Sequence, residues 1–123
     1  MNIFRYVVRY DGGSAPRPYG GICTLAICKP MIRRTATVGD WIIGVRSKAP
    51  DRVVYVMQVS EVLPFDRYWS DTRFKNRRAG ASPVPDNIYL PNAHGELVQE
   101  SNPIHGQDET RTDLSGRNVL IGK

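Results

Sequence analysis

Val38-Gly39-Asp40-Trp41-Ile42-Ile43-Gly44, followed by the long run from Arg52 to Leu63, restricts this chain more than any other feature. A Gly-Asp corner before an apolar segment reads as a turn that launches a strand. The run Val53-Val54-Tyr55-Val56-Met57-Gln58-Val59-Ser60-Glu61-Val62 is rich in β-branched and aromatic residues, which suit a pleated, partly buried surface. The pattern predicts a mainly β fold with short helices (α+β), built as a small β-barrel. Barrels of this kind often grip a single base or nucleotide.

The rest of the chain fits around those strands. Ile3 to Tyr10 reads as a first strand. Asp11 to Gly21 is a loop crowded with Gly and Pro, residues that permit close backbone approach and stiffen the path. Ile22 to Cys28 is apolar and fits helix or strand, since periodicity cannot arbitrate so short a run. Lys29-Pro30 ends it, because the residue before proline avoids the helical region. Met31 to Thr37 leads into the Gly39-Asp40 turn, and Trp41 to Arg46 is a strand. Asp66 to Trp69 reads as a short helical turn after Pro64. Ala79 to Asn87 is loop-like, and Asn87 to Leu90 is a short strand before Pro91. Gln107 to Asp113 alternates acid, base and amide, which places it in solvent. Asn118 to Ile121 is a terminal strand that pairs within this chain or with another copy.

At 123 residues the chain is one domain, 1–123. Its net charge of +5 suits an anionic partner such as nucleic acid or a nucleotide, and serves solubility equally. No run approaches the ~18 apolar residues that cross a membrane. The N-terminus lacks a signal-peptide layout, so a cytoplasmic setting is the expectation. Cys23 and Cys28 then read as buried reduced thiols. A zinc site completed by His94 and His105 is disfavoured, because the spacing matches no ordinary finger. No metal and no cofactor are expected.

The candidate binding residues follow from charge and aromaticity. In the Gly-rich loop, Gly20 and Gly21 would turn amide groups toward an anion, Arg17 would add a fixed charge and Tyr19 a stacking face. The plainer reading of that loop is a crossover connection. Arg33, Arg34, Lys48, Arg77 and Arg78 would attract phosphate. Trp41 and Trp69 join Tyr19 as the base-facing wall, since aromatic faces stack on any base. Chemistry is less legible. There is no P-loop, no dinucleotide fingerprint and no G-x-S-x-G elbow. His94 or His105 would act as acid or base with Asp40, Glu61 or Asp66, although a histidine in a polar loop is more often simply exposed. Whether the chain is an enzyme is open on these residues.

Three blocks carry a resemblance. They are Tyr6 to Pro16, then Tyr19-Gly20-Gly21-Ile22-Cys23-Thr24-Leu25-Ala26-Ile27-Cys28-Lys29-Pro30, then Ile32 to Thr35 with Val38 to Gly44. With Val54 to Trp69 and Asp113 to Ile121, they resemble the nucleotide modification associated domain 2 family of phages and bacteria. The resemblance implies a part in making or handling modified nucleotides in DNA, inside a bacterial or phage-infected host cell. It brings no catalytic residue set with it, and it implies that the chain is a shortened or fragmentary member. More loosely, the Val-Gly-Asp corner, long strand and Tyr68-Trp69 turn resemble the PUA-like superfamily with its ASCH and EVE domains, which implies a barrel pocket that admits a flipped or modified base.

The leading expectation is therefore a binding module for nucleic acid or modified nucleotide. The alternatives are a nucleotide-modifying enzyme, or a phage protein that sequesters a nucleotide signal or inhibits host defence. A homo-oligomer is compatible with each.

Overall fold

A computed structural model describes residues 1–8, 17–19, 21–48, 52–82 and 85–122, with 17–19 described by their backbone alone. Eight strands and three short helices follow in chain order: β1 (Ile3–Val8), β2 (Arg17–Tyr19), β3 (Ile22–Leu25), α1 (Pro30–Thr35), β4 (Trp41–Arg46), β5 (Val53–Pro64), α2 (Phe65–Ser70), β6 (Tyr89–Pro91), β7 (Leu97–Gln99), α3 (Thr110–Ser115) and β8 (Asn118–Gly122). 3-10 segments at Thr72–Arg77 and Gln107–Glu109 precede β6 and α3.

Six strands form one sheet in the order β1-β4-β5-β8-β3-β2, and β6 pairs with β7 separately. The β-branched run explains the centre of that sheet. β5 is long enough to serve two neighbours in turn: Val53 to Gln58 pair with β4, and Val59 to Pro64 with β8. The register slips between Val59 and Glu61, where the pairing changes partner. A slip of this kind bends a strand and strengthens its twist. β1 runs parallel to β4, and the other pairings are antiparallel. Among the described residues the two end strands, β1 and β2, do not pair with one another. The described strands therefore form an open, bent sheet, and the expected barrel closure is not seen in them.

β8 answers the question about the terminal strand. It pairs with both β5 and β3 of its own chain. Leu120 packs into a core with Tyr6, Leu25, Ile42, Met57 and Val59. Val119 and Ile121 point the opposite way, into a second core with Ile27, Phe65, Tyr68, Phe74 and Tyr89. A strand buried on both faces reads as a continuous apolar run, which is what Val119-Leu120-Ile121 is. Burial of each such side chain contributes about 1.5–3 kcal/mol.

Three local expectations need correction. Met31 to Thr37 is not a plain lead-in, because Pro30 opens α1. Proline is pre-organised for a helix's first position, where its missing N–H is not needed. Gln107 to Asp113 does not lie wholly in solvent: α3 begins at Thr110, and Asp113 is 1% exposed. The strand after the second loop begins at Tyr89, while Asn87 is buried and donates to the carbonyls of Tyr68 and Phe74. Ile22 to Leu25 resolves as strand. Arg9 and Tyr10, which close the expected first strand, lie outside the described residues, as does most of the Gly-rich loop.

Candidate active site

The turn between β3 and α1 is backbone under constraint. Cys28 has φ 61° and Lys29 has φ 44°, a pair of left-handed residues neither of which is glycine. Such conformations are uncommon for residues bearing a Cβ and persist only where surrounding contacts fix them. Here the contacts are explicit. The Cys28 amide donates to Asp113 Oδ1 at 2.9 Å, and its carbonyl accepts from Arg33 Nε at 2.7 Å. The peptide groups on both sides of the cysteine are thus tied to residues packed around α1 and α3.

The thiol points to His105, with Sγ 3.3 Å from Nε2. His105 is aimed by its own loop, where Asn102 Oδ1 accepts from the amides of Ile104 at 2.9 Å and His105 at 2.8 Å. Its Nδ1 lies 2.6 Å from Asp113 Oδ2. The Asp113 carboxylate also accepts from the Tyr89 hydroxyl at 2.6 Å. The result is a chain of sulfur, imidazole and carboxylate, drawn from residues 77 and 8 positions apart in sequence.

Electrostatics follow from that geometry. Burial opposes a charge on His105, but its hydrogen bonds to Asp113 and Cys28 outweigh burial and lift its pKa to about 10. Burial likewise opposes a charge on Asp113, yet the bonds it accepts from His105, Tyr89 and the Cys28 amide hold its pKa below the ordinary carboxylate value. At neutral pH the pair is imidazolium and carboxylate, with Nδ1 donating to the carboxylate and Nε2 facing the sulfur.

A cavity of about 720 Å³ opens beside these groups. Tyr6 and Val8 of β1 form its apolar wall, and Asp108 and Glu109 face it from the 3-10 turn before α3. Lys29 also lines it, with Nζ 5.0 Å from the centre of the Tyr6 ring. The volume falls in the ~300–1,000 Å³ range of small-molecule sites.

The same donors are also spaced closely enough to face a single metal ion. One ligand atom from each of Cys28, His105 and Asp113 lies within 4.8 Å of the others. Both Asp113 oxygens and the His105 Nδ1 are already engaged with one another, with Tyr89 and with the Cys28 amide. That leaves a sulfur and one ring nitrogen, two short of the four ligands of a structural zinc. The arrangement fits an activated thiol better than a metal.

The sequence-predicted binding residues lie elsewhere. Arg33 is fully buried, so it presents no cation to a ligand. Its guanidinium donates to the carbonyls of Cys28, Asp113 and Asn118. Arg77 is 2% exposed and donates to Thr24 Oγ1 at 2.6 Å and to the Ile22 carbonyl. Arg78 lies over Trp69, 3.9 Å from the ring centre, and donates to the Trp69 carbonyl, so these two engage each other. Arg34 and Lys48 are exposed, and Trp41 is half-buried at the start of β4. Gly21 turns the β2–β3 hairpin at φ 78°; Gly20 lies outside the described residues, as do the side chains of Arg17 and Tyr19. None of those described lines the cavity.

Of the two histidines, His94 is exposed on the β6–β7 turn. His105 finds its carboxylate in Asp113. Asp40 instead accepts from the amides of Thr37 and Asn2, Glu61 pairs with Arg73, and Asp66 is exposed. The cysteines are free thiols in different settings: Cys23 is buried, which pushes its pKa up to about 12, and Cys28 is half-buried at the cavity. Sequence reasoning did not single out Cys28 as a site residue. Its one local sign was a cysteine at the end of an apolar run, immediately before Lys-Pro.

A family model described as nucleotide modification associated domain 2 matches residues 1–123. No curated protein and no solved structure matches the chain.

Proposed function

Because the chain belongs to the nucleotide modification associated domain 2 family, we propose that it is a cysteine-nucleophile enzyme acting on a nucleotide, free or in nucleic acid. The observation that carries this reading is Cys28 Sγ beside His105 Nε2 at 3.3 Å, with Nδ1 2.6 Å from Asp113 Oδ2, at the edge of a nucleotide-sized cavity.

Each residue has a role. Cys28 forms a bond from sulfur to an electrophilic carbon of the substrate. His105 holds the thiol proton and returns it to the atom that receives the displaced electron pair. Asp113 fixes the imidazole's orientation and favours its charged form, the general logic of a nucleophile, base and orienting carboxylate. The left-handed turn at Cys28 presents the sulfur to the cavity, on a backbone held from both sides.

The pure binding-module reading has less support. Of the residues it names, Arg33 and Arg77 are interior and Arg78 stacks on one face of Trp69, while Gly20 and the side chains of Arg17 and Tyr19 lie outside the described residues. Arg34 and Lys48 remain as exposed cations for a polynucleotide backbone. The bent β5 is compatible with a PUA-like, barrel-type scaffold beneath the site. No helix among the described residues is long and apolar enough to cross a membrane.

The test is alkylation with iodoacetamide, read by mass spectrometry at each cysteine. Cys28 should react faster than free cysteine at pH 7, Cys23 should stay protected, and His105→Ala should abolish the advantage. A Cys28 that reacts like an ordinary thiol, or is indifferent to His105→Ala, overturns the proposal.

A further inference from the structure

Arg33 is an unusual buried charge. It is fully enclosed, packs 5.5 Å from the Phe65 ring centre, and makes no ion pair among the described residues. Its donors go to main-chain carbonyls: Nε to Cys28 at 2.7 Å, Nη2 to Asp113 at 2.7 Å and Nη1 to Asn118 at 3.2 Å. A buried cation without a contacting carboxylate is expensive, and an apolar side chain would fill the space at lower cost. Burial lowers its pKa to about 10, so it remains charged at neutral pH. The nearby Asp113 charge opposes that lowering, so part of its compensation comes from this site.

The two residues it joins most closely are the ends of the sulfur–imidazole–carboxylate chain. They lie 85 positions apart in sequence, and one guanidinium holds the peptide groups of both. The Cys28 amide closes the loop by donating to the Asp113 side chain. A planar fork holds three carbonyls in fixed directions, whereas a lysine ammonium is a compact point charge on a flexible stem.

We propose that Arg33 is the positioning residue of this site, a buried cation that holds Cys28 and Asp113 in register. The proposal rests on Cys28 being the nucleophile. Arg33 never meets the substrate. It acts by fixing the left-handed turn that carries the thiol.

Iodoacetamide alkylation of Cys28 across pH 5 to 10 tests this, with circular dichroism recording whether each variant is folded. Arg33→Met should slow alkylation at pH 7 by about tenfold, the equivalent of one lost hydrogen bond to a charged group. Arg33→Lys should recover part of that rate. A folded Arg33→Met protein with the wild-type rate overturns the proposal. If Arg33→Met does not fold, Gly116→Ala carries the test. A Cβ at Gly116 would lie 2.5 Å from Arg33 Nη1, so it displaces the guanidinium without removing its charge. A slower Cys28 in folded Gly116→Ala supports positioning, and an unchanged rate overturns it. Wild-type and His105→Ala rates separate the two ideas. A fast, His105-dependent Cys28 that ignores Arg33 sinks this inference alone, whereas an ordinary wild-type rate sinks the nucleophile itself.

Discussion

Tyr89 gives its hydroxyl proton to the same Asp113 oxygen that faces His105, at 2.6 Å in each case. Tyr89 is itself steadied by Gln99, whose Nε2 donates to the Tyr89 oxygen at 3.1 Å. The carboxylate therefore accepts from three directions: Tyr89, His105 and the Cys28 amide. Preorganisation of this kind keeps an orienting group charged in a buried setting.

Tyr89→Phe should expose how much the Tyr89 bond matters. It removes one donor from a buried carboxylate and one of the two acceptors of the Gln99 amide, which keeps the Gly106 carbonyl. The expected destabilisation is about 1–3 kcal/mol by urea denaturation. Cys28 alkylation should slow, because a less firmly ionised Asp113 holds His105 less well. A variant of wild-type stability and reactivity would mean that Asp113 does not depend on this bond.

The His105–Asp113 pair also sets a pH window. His105 is raised from 6.5 to about 10 on folding, so its contribution is complete below 6.5 and is lost as pH climbs toward 10. Asp113 is lowered from 3.8, so its contribution is complete above 3.8 and is lost as pH falls through the lower folded value. The pair stabilises most between those two ordinary values. The unfolding free energy of wild type minus that of His105→Gln should be largest near pH 5–6 and shrink steadily from pH 6.5 to 10. A difference that stays flat over that upper range would contradict a charged His105.

Much of the scaffold is legible in the chain, and the site is not. β4 and β5 follow from the Gly39-Asp40 corner and the β-branched run, since short-range pattern determines both. The helical turn at Tyr68 follows from Pro64. α1 and α3 are six residues each, too short to show a helical period. α3 looks solvated because most of it is; its single buried carboxylate leaves no mark on a polar sequence. Cys28, His105 and Asp113 meet only because β8 pairs beside β3 and carries α3 to the turn after it. No spacing rule records such an encounter. The buried arginines mislead for a related reason: composition counts a cation without saying whether its donors face solvent or carbonyl groups.

That distinction is measurable. Thr24 Oγ1 stands between Arg77 and Asp86, at 2.6 Å and 2.5 Å, deep in the second core. Arg77→Ala should therefore cost about 3–5 kcal/mol, as expected on breaking a buried charged network. Arg34→Ala with Lys48→Ala should change stability by less than about 0.5 kcal/mol. The same surface pair should lower the salt dependence of any polynucleotide binding, with a log–log slope reduced by about 1–2. Equal effects from buried and surface arginines in denaturation would reject this placement.

Lys29 allows the substrate class to be probed without knowing the substrate. It lines the cavity next to Cys28, and its ammonium rests over the Tyr6 ring, where a stacked cation stays available to an anion on its other side. Asp108 and Glu109 also line the cavity and would repel a phosphate, so a nucleotide should seat its phosphate at Lys29 and keep it away from the acids. Nucleoside 5′-monophosphates should then protect Cys28 from iodoacetamide at lower concentrations than the matching nucleosides. Lys29→Met should weaken protection by the monophosphates about fivefold, in line with one partly exposed ion pair of about 1 kcal/mol, and leave protection by nucleosides unchanged. If nucleosides and monophosphates protect equally, or if Lys29→Met weakens both alike, Lys29 does not meet a phosphate and the nucleotide must enter in another orientation.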